Sequence, residues 1–304
     1  MMLSNPISRK HFLLGAAAAN IIGAGFGPAT AAESILTRPI PKSGEPLPMM
    51  GLGTSSSFRN ADQLARREVV KALVDGGASV IDTAPSYADA EFATGGIVAS
   101  LGDRAKIFLA SKVAERGKPE GIKSVETSFK NLQTDVIDLM QVHNLVDTDT
   151  QLGTLRDWKA AGRIRYIGIT HWRPDEQEAL ADVIKNQDID FVQLNYSVEV
   201  RQPERRLLPL AKEKGIAVLV NVPLGRGRLL QSVKGREVPQ WARDMGCDSF
   251  AQMLLKFVLS HPAINCALPA TSKAKHMRDN LAAARVRLFN ATEREKIAEF
   301  WANV

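Results

Sequence analysis

Ser79-Val80-Ile81-Asp82-Thr83-Ala84-Pro85-Ser86-Tyr87 is the stretch that decides the fold of this 304-residue chain. An apolar run ends on an acid, a Thr-Ala-Pro-Ser break follows, and a phenol arrives just before a helical segment opening at Ala90. An acid closing a buried strand and a tyrosine in the next loop share one rim of a sheet. That rim is where α/β folds place their chemistry. The chain has only three tyrosines, so one in a loop is informative. Alone, the stretch reads equally well as an Asp capping a turn beside a surface Tyr. Its surroundings separate the two.

Working outward, residues 35–48 carry four prolines and Lys42-Ser43-Gly44-Glu45, a short hairpin with its turn at those four residues. Residues 49–54 form a first strand. Residues 61–75 form a helix, with Val69/Leu73 and Val70/Val74 at i,i+4 spacing and Gly76-Gly77 ending it. Strands at 79–82, 106–112, 136–143, 166–170, 191–194, 217–221 and 264–268 then alternate with helices. The helices are read at 90–101, 118–132, 149–161, from Pro174, 205–214, 249–259 and 273–283, with a terminal one at 292–301. A long Gly/Arg-rich loop separates the seventh strand from the helix at 249. Eight such units with near-continuous apolar strands predict an α/β fold, a (β/α)8 TIM barrel with an N-terminal hairpin and a C-terminal helix. The barrel is expected to be a single domain over residues 33–304. No Gly-x-Gly-x-x-Gly follows the first strand, so a Rossmann cofactor site is not supported.

Residues 1–32 read as a cleavable export signal rather than part of the fold. Arg9-Lys10 precede Phe12-Leu13-Leu14, a Gly/Ala-rich apolar stretch runs from Gly15 to Gly27, and Ala29-Thr30-Ala31-Ala32 offers a small-x-small cleavage site. The apolar run is shorter than the roughly 20 residues that span a bilayer, so no membrane span is expected in the mature chain. Ser8 to Leu14 resembles a twin-arginine signal with Lys in the second basic position. The expected destination is periplasmic, by the twin-arginine or the general secretory route. Net charge is +6, or +4 without the signal, and the basic residues are scattered with little aromatic interleaving. That pattern describes a solvated surface plus an anion site, not a nucleic-acid interface. Cys247 and Cys266 are expected to be free thiols, Cys266 because it lies in the apolar run Ile264 to Leu268.

Polar residues gather at the C-terminal strand ends. Asp82 closes the second strand and Tyr87 follows it; Lys112 closes the third and His143 the fourth. Each has an ordinary explanation, a surface lysine or a hydrogen-bonded core histidine, but four on consecutive strands of one face point to chemistry. The set resembles the aldo-keto reductase family: Asp82 to Glu91 with Gly95 matches its Asp–Tyr signature, and Ala110-Ser111-Lys112 and Leu139-Met140-Gln141-Val142-His143 match the rest of a tetrad. The resemblance covers residues 35–284. It implies reduction of a small aldehyde or ketone by hydride transfer from NADPH, with NADH as the other possible donor. Tyr87 is then the general acid, Lys112 lowers its pKa, Asp82 fixes Lys112, and His143 orients the carbonyl oxygen.

The same resemblance assigns the cofactor to Thr54, Asp82, Thr170, His171, Gln193 and Asn221 around the nicotinamide. Leu224, Gly225, Thr271, Ser272, Lys273, His276 and Asn280 are assigned to the phosphates and adenosine. Loops after strands seven and eight, the second opening a helix, independently suit phosphate. Four positions depart from the family pattern. Thr170-His171 replaces Ser-Asn, Asn221 replaces a stacking aromatic, Ala270 a common Lys, and His276 an Arg that meets the adenosine 2′-phosphate, with Lys273, Lys275 and Arg278 nearby. Phe58, Trp172 and residues 226–238 are expected at the pocket rim, and a monomer is expected. Two other readings stand beside the reductase. One is a non-catalytic nicotinamide-dinucleotide-binding regulatory subunit. The other is a Schiff-base lyase on Lys112, opposed by Asp82, which would keep that lysine protonated.

Overall fold

The structure, a computed structural model, describes residues 34–59 and 62–304. The export-signal reading lies outside the described residues. The chain opens with β1 (Thr37–Pro39) and β2 (Pro46–Pro48), an antiparallel hairpin turning at Pro41–Glu45. The barrel repeat follows: β3 (Gly51–Gly53), α1 (Gln63–Asp75), β4 (Val80–Asp82), α2 (Ala90–Leu101), β5 (Phe108–Val113) and α3 (Lys118–Leu132). Next come β6 (Ile137–His143), α4 (Thr148–Ala160), β7 (Ile164–His171), α5 (Gln177–Asn186), β8 (Phe191–Asn195), α6 (Leu207–Glu213) and β9 (Ala217–Asn221). The long loop holds two short helices that the sequence reading did not resolve, α7 (Arg228–Ser232) and α8 (Gln240–Asp244). After α9 (Phe250–Leu259), β10 (Cys266–Ala267) and α10 (Ala274–Ala282), α11 (Ala291–Ala302) ends the chain. Asp62 caps α1 by accepting from the Ala65 N–H at 2.7 Å, and Asn290 with Glu293 forms a capping box on α11.

Strands β3 to β10 pair in parallel in sequence order, and bridges Met50–Ala267 and Gly53–Ala270 bring the last strand back to the first. This is the (β/α)8 barrel expected. Strand alternation then sorts every side chain. One parity, including Ile81, Leu109, Met140, Ile169 and Val192, joins the large apolar layer shared with the helices. The other parity points into the barrel. Its lower levels hold Val80, Phe108, Ala110, Leu139, Tyr166, Phe191, Leu219 and Leu268, plugged from beneath by Ile40 and Leu47 of the hairpin. The Tyr166 hydroxyl donates to Glu45 at 2.7 Å, and Asn265 Nδ2 donates to the Pro39 carbonyl at 2.9 Å, so the plug is tied to the barrel floor. Continue the inward parity upward and the residues turn polar: Asp82, Lys112, Gln141, His143, Thr170, Gln193, Asn195 and Asn221. The upper end of the barrel interior is therefore the candidate site.

Candidate active site

Asp82 and Lys112 meet in a fully buried pair. Lys112 Nζ lies 2.8 Å from both carboxylate oxygens and donates to the Thr83 carbonyl at 2.7 Å, so all three ammonium hydrogens have acceptors. Burial alone would pull the lysine down. The charge of Asp82 above all, with the nearby Tyr87 and the hydrogen bonds to Asp82, outweighs it, and Lys112 stays charged with its pKa above the usual value.

Tyr87 rides the turn after β4. Its N–H donates to the Ala84 carbonyl at 3.1 Å, and left-handed Ala88 (φ 55°) redirects the chain into α2. Lys112 Nζ sits 4.9 Å from the Tyr87 ring centroid, and the His143 ring meets it edge-on at 5.9 Å and 85°. The four residues therefore converge at one point. The direction of the Tyr87 pKa differs from the sequence expectation. Burial raises it and Asp82 adds to that, while Lys112 and Arg226 pull it back only in part. The sequence shows the neighbouring ammonium; it does not show how much water the phenol loses. His143 is held at about 3 by burial first, then by Lys112 and His171, so its imidazole is neutral at physiological pH. A neutral imidazole offers one N–H donor to a carbonyl oxygen.

A chain of amides runs sideways from this point. Gln193 Nε2 donates to Asp82 at 2.8 Å, Thr170 Oγ1 donates to Gln193 Oε1 at 3.0 Å, and Asn221 Nδ2 reaches the same oxygen at 3.5 Å. Gln141, two residues before His143, approaches Asp82 at 3.4 Å. His171 is buried, accepts from the Arg173 N–H at 3.2 Å, and is lowered by burial. Thr54 is directed elsewhere: its N–H and hydroxyl both donate to the Asp82 carbonyl, joining β3 to β4. Phe58 is fully buried with Arg66 over its ring, so it belongs to the core and not to the rim.

A second region adjoins the barrel mouth, a cavity of about 290 Å³ lined by Leu224, Leu230, Val233, Phe250, Thr271, His276, Asp279 and Asn280 among others. Leu224, Thr271, His276 and Asn280 thus come together around one cavity; Gly225, Ser272 and Lys273 are not among its lining residues. Thr271 Oγ1 accepts from the Lys273 N–H at 3.1 Å, closing the turn into α10. His276 is lowered by burial and then by Lys273 and Lys275, which places two ammonium groups near it. Asp279 is held by Ser249 at 2.7 Å and Gln252 at 2.6 Å. Cys247 and Cys266 are both free and buried, the first pushed up to about 11 and the second also raised by burial.

A buried acid–lysine pair lies under a phenol with a neutral histidine edge-on beside it, on three successive strand ends of one barrel. The aldo/keto reductase family profile covers residues 49–302. The chain belongs to the aldo/keto reductase family. Methylglyoxal reductase YeaE of Escherichia coli (strain K12) is 30% identical over 255 residues, 81% of this chain and 88% of that enzyme. Aldo-keto reductase YhdN of Bacillus subtilis (strain 168) is 30% identical over 199 residues, 59% of each chain. An aldo-keto reductase from Klebsiella pneumoniae, solved in complex with NADPH, superimposes with TM-score 0.73 at 26% identity over 89% of this chain and 96% of that one. As an aldo/keto reductase the chain is an oxidoreductase.

The residues present fit a nicotinamide dinucleotide. Asn221 Oδ1 and Gln141 Oε1 are shielded from solvent and lack a hydrogen-bond partner among the described residues. A carboxamide N–H₂ answers such an acceptor. The cavity beyond Leu224, lined by Thr271, His276 and Asn280, with the charges of Lys273 and Lys275 acting on His276, suits a phosphorylated ribose. Among the described residues no group of three metal-ligating side chains occurs, and no helix is long and apolar enough to cross a membrane.

Proposed function

We propose that this aldo/keto reductase reduces an aldehyde or ketone to an alcohol with NADPH, Tyr87 delivering the proton to the carbonyl oxygen. The observation that carries the reading is the buried Asp82–Lys112 pair lying against the Tyr87 ring, with neutral His143 edge-on beside it. Gln193, Thr170, His171 and Asn221 would hold the nicotinamide end, Leu224, Gly225, Thr271 and Ser272 the phosphates, and Lys273, His276 and Asn280 the adenosine end. Bound there, the reduced cofactor supplies hydride to the carbonyl carbon.

The protein's own groups handle the charge that develops on oxygen. His143 donates its N–H to the carbonyl and so orients it. The raised pKa keeps Tyr87 protonated through neutral pH, so the acid is loaded when substrate arrives. Its proton leaves only as alkoxide character builds, an oxygen far more basic than a phenolate. Lys112, locked in place by Asp82 and Thr83, then faces the phenolate left behind. Purified protein given NADPH and a panel of aldehydes and ketones should consume the cofactor only when a carbonyl is present. Tight cofactor binding with no turnover across the panel would sink the reading and favour a non-catalytic dinucleotide-binding subunit.

The pattern of Arg9-Lys10, the weakly apolar Gly15–Gly27 stretch and Ala29-Thr30-Ala31-Ala32 supports export as a second part of the proposal. A folded route suits a barrel that takes up a dinucleotide made in the cytoplasm. Mature protein should begin near Ala32 or Glu33.

A further inference from the structure

After β9 the backbone turns left-handed four times in six residues: Val222 (φ 53°), Gly225 (φ 57°), Arg226 (φ 57°) and Gly227 (φ 88°). A β-branched valine and an arginine in that region are costly, and such strain persists where the fold needs the direction it imposes. The result is a division of side chains. Leu224 and Leu230 line the dinucleotide cavity, whereas Arg226 does not. Its guanidinium instead lies 4.1 Å from the ring centre of Trp172, across the mouth on the loop after β7.

Trp172 is 39% exposed, a platform open to solvent, and its carbonyl is pinned by Asn195 Nδ2 at 2.9 Å. It stands two residues beyond Thr170, whose register partner is His143. The stack therefore rises from the strand end beside His143, at the same rim as Tyr87. Neighbouring arginines are matched, Arg228 to Glu199 and Arg173 to Asp175. Arg226 has neither an acid nor a carbonyl partner among the described residues, and it is close enough to pull the Tyr87 phenol downward. A guanidinium stacked on an indole keeps its N–H edges free in the ring plane, the geometry that takes a carboxylate bidentately.

We infer that Arg226, stacked on Trp172, is a specificity-determining residue that anchors the carboxylate of a carbonyl substrate, so the preferred substrates are aldehydes or ketones bearing a carboxylate. This rests on the reductase reading. The test compares 4-carboxybenzaldehyde with its methyl ester, of similar shape without the charge, in wild-type protein, Arg226→Met and Arg226→Lys. The wild type should favour the acid by about tenfold or more in kcat/KM, within what a charge-assisted hydrogen bond supplies. Arg226→Met should erase that preference while leaving the ester's kcat/KM and the NADPH Kd within about threefold. Arg226→Lys should keep part of it.

Calorimetric titration with 4-(hydroxymethyl)benzoate, the alcohol product, into the cofactor-loaded protein reads the anchor without turnover and should weaken equally in Arg226→Met. Turnover of the ester alongside an unchanged acid-to-ester ratio in Arg226→Met would overturn the inference and leave the reductase standing. A tenfold or greater rise in NADPH Kd with that ratio unchanged would also overturn it, assigning Arg226 to the cofactor phosphates. Turnover of neither aldehyde would instead count against the reductase. Loss of product binding in Arg226→Met would still support the anchor in that case, and its retention would overturn the anchor too.

Discussion

At the scale of single residues, protonation decides most of what can be measured. Tyr87 is raised, so its acid form persists through neutral pH and is lost only as pH climbs through the folded value. The kcat for reduction should be flat from about pH 6 to 9 and fall above about 10, the ordinary tyrosine range. A fall centred near neutrality would contradict this. Lys112→Met removes the main opposing pull, so that alkaline limb should move higher, and the rate should drop. It also strands Asp82 with only amide partners, a loss of about 3–5 kcal/mol measurable by urea unfolding. His143 runs the other way. Its folded value of about 3 lies below the ordinary 6.5, so the unfolded chain binds the proton more readily between them. Stability is lost as pH falls from about 6.5 toward 3, and His143→Asn should flatten part of that loss between pH 7 and 4.5. The four tetrad residues were legible because each closes or follows an apolar run. Gln141 was not: inside the run Ile137 to His143 it reads as strand filler, and only parity, two residues before His143, assigns it to the interior. Phe58 was misjudged because a loop phenylalanine gives no sign of the Arg66 that covers it.

At the scale of elements, the helices with clear caps were legible to within a residue or two. Gly102 after α2, the 3.6-residue spacing of α1 and the Ser249 cap of α9 are local signals. The five-residue α7 and α8 carry no full period, so nothing in the sequence separates them from loop. Strand β7 is longer than expected because Ile164 pairs with Ile137 at the barrel floor, where Arg165 meets Asp138 at 2.7 Å, and His171 pairs with Leu194 at the mouth. Adjacent glycines in α2 offer a sharp test of packing. A Cβ on Gly95 would overlap the Asn131 carbonyl oxygen and come within 2.7 Å of Leu132 Cα in α3, whereas one on Gly96 meets nothing closer than Gln133 Nε2 at 3.8 Å. Gly95→Ala should therefore cost about 1–3 kcal/mol or more, and Gly96→Ala should gain up to about 1 kcal/mol. Equal effects in thermal unfolding would show that α2 and α3 do not approach as described.

At the scale of the whole molecule, the barrel is a container with a closed floor and a polar mouth. The hairpin plug keeps water out from beneath, and Leu47→Ala should loosen it at about 2–5 kcal/mol with the mouth chemistry retained in the folded fraction. Eight strands in order were legible from alternation, while barrel closure through Met50–Ala267 and Gly53–Ala270 joins distant segments that no local pattern reports. Export belongs to this scale too: replacing Arg9-Lys10 with Lys-Lys should trap precursor in the cytoplasm, and unchanged export that instead stops when the general secretory route is blocked would refute folded export. The buried Asp82–Lys112 pair and His143 converge on Tyr87, the proposed proton donor. Single-turnover NADPH oxidation with an uncharged aldehyde, in wild type and Tyr87→Phe at matched cofactor saturation, tests that most directly. The expected result is a loss of about 10²–10⁴-fold with NADPH Kd unchanged; a variant retaining more than about a tenth of the wild-type rate would contradict it.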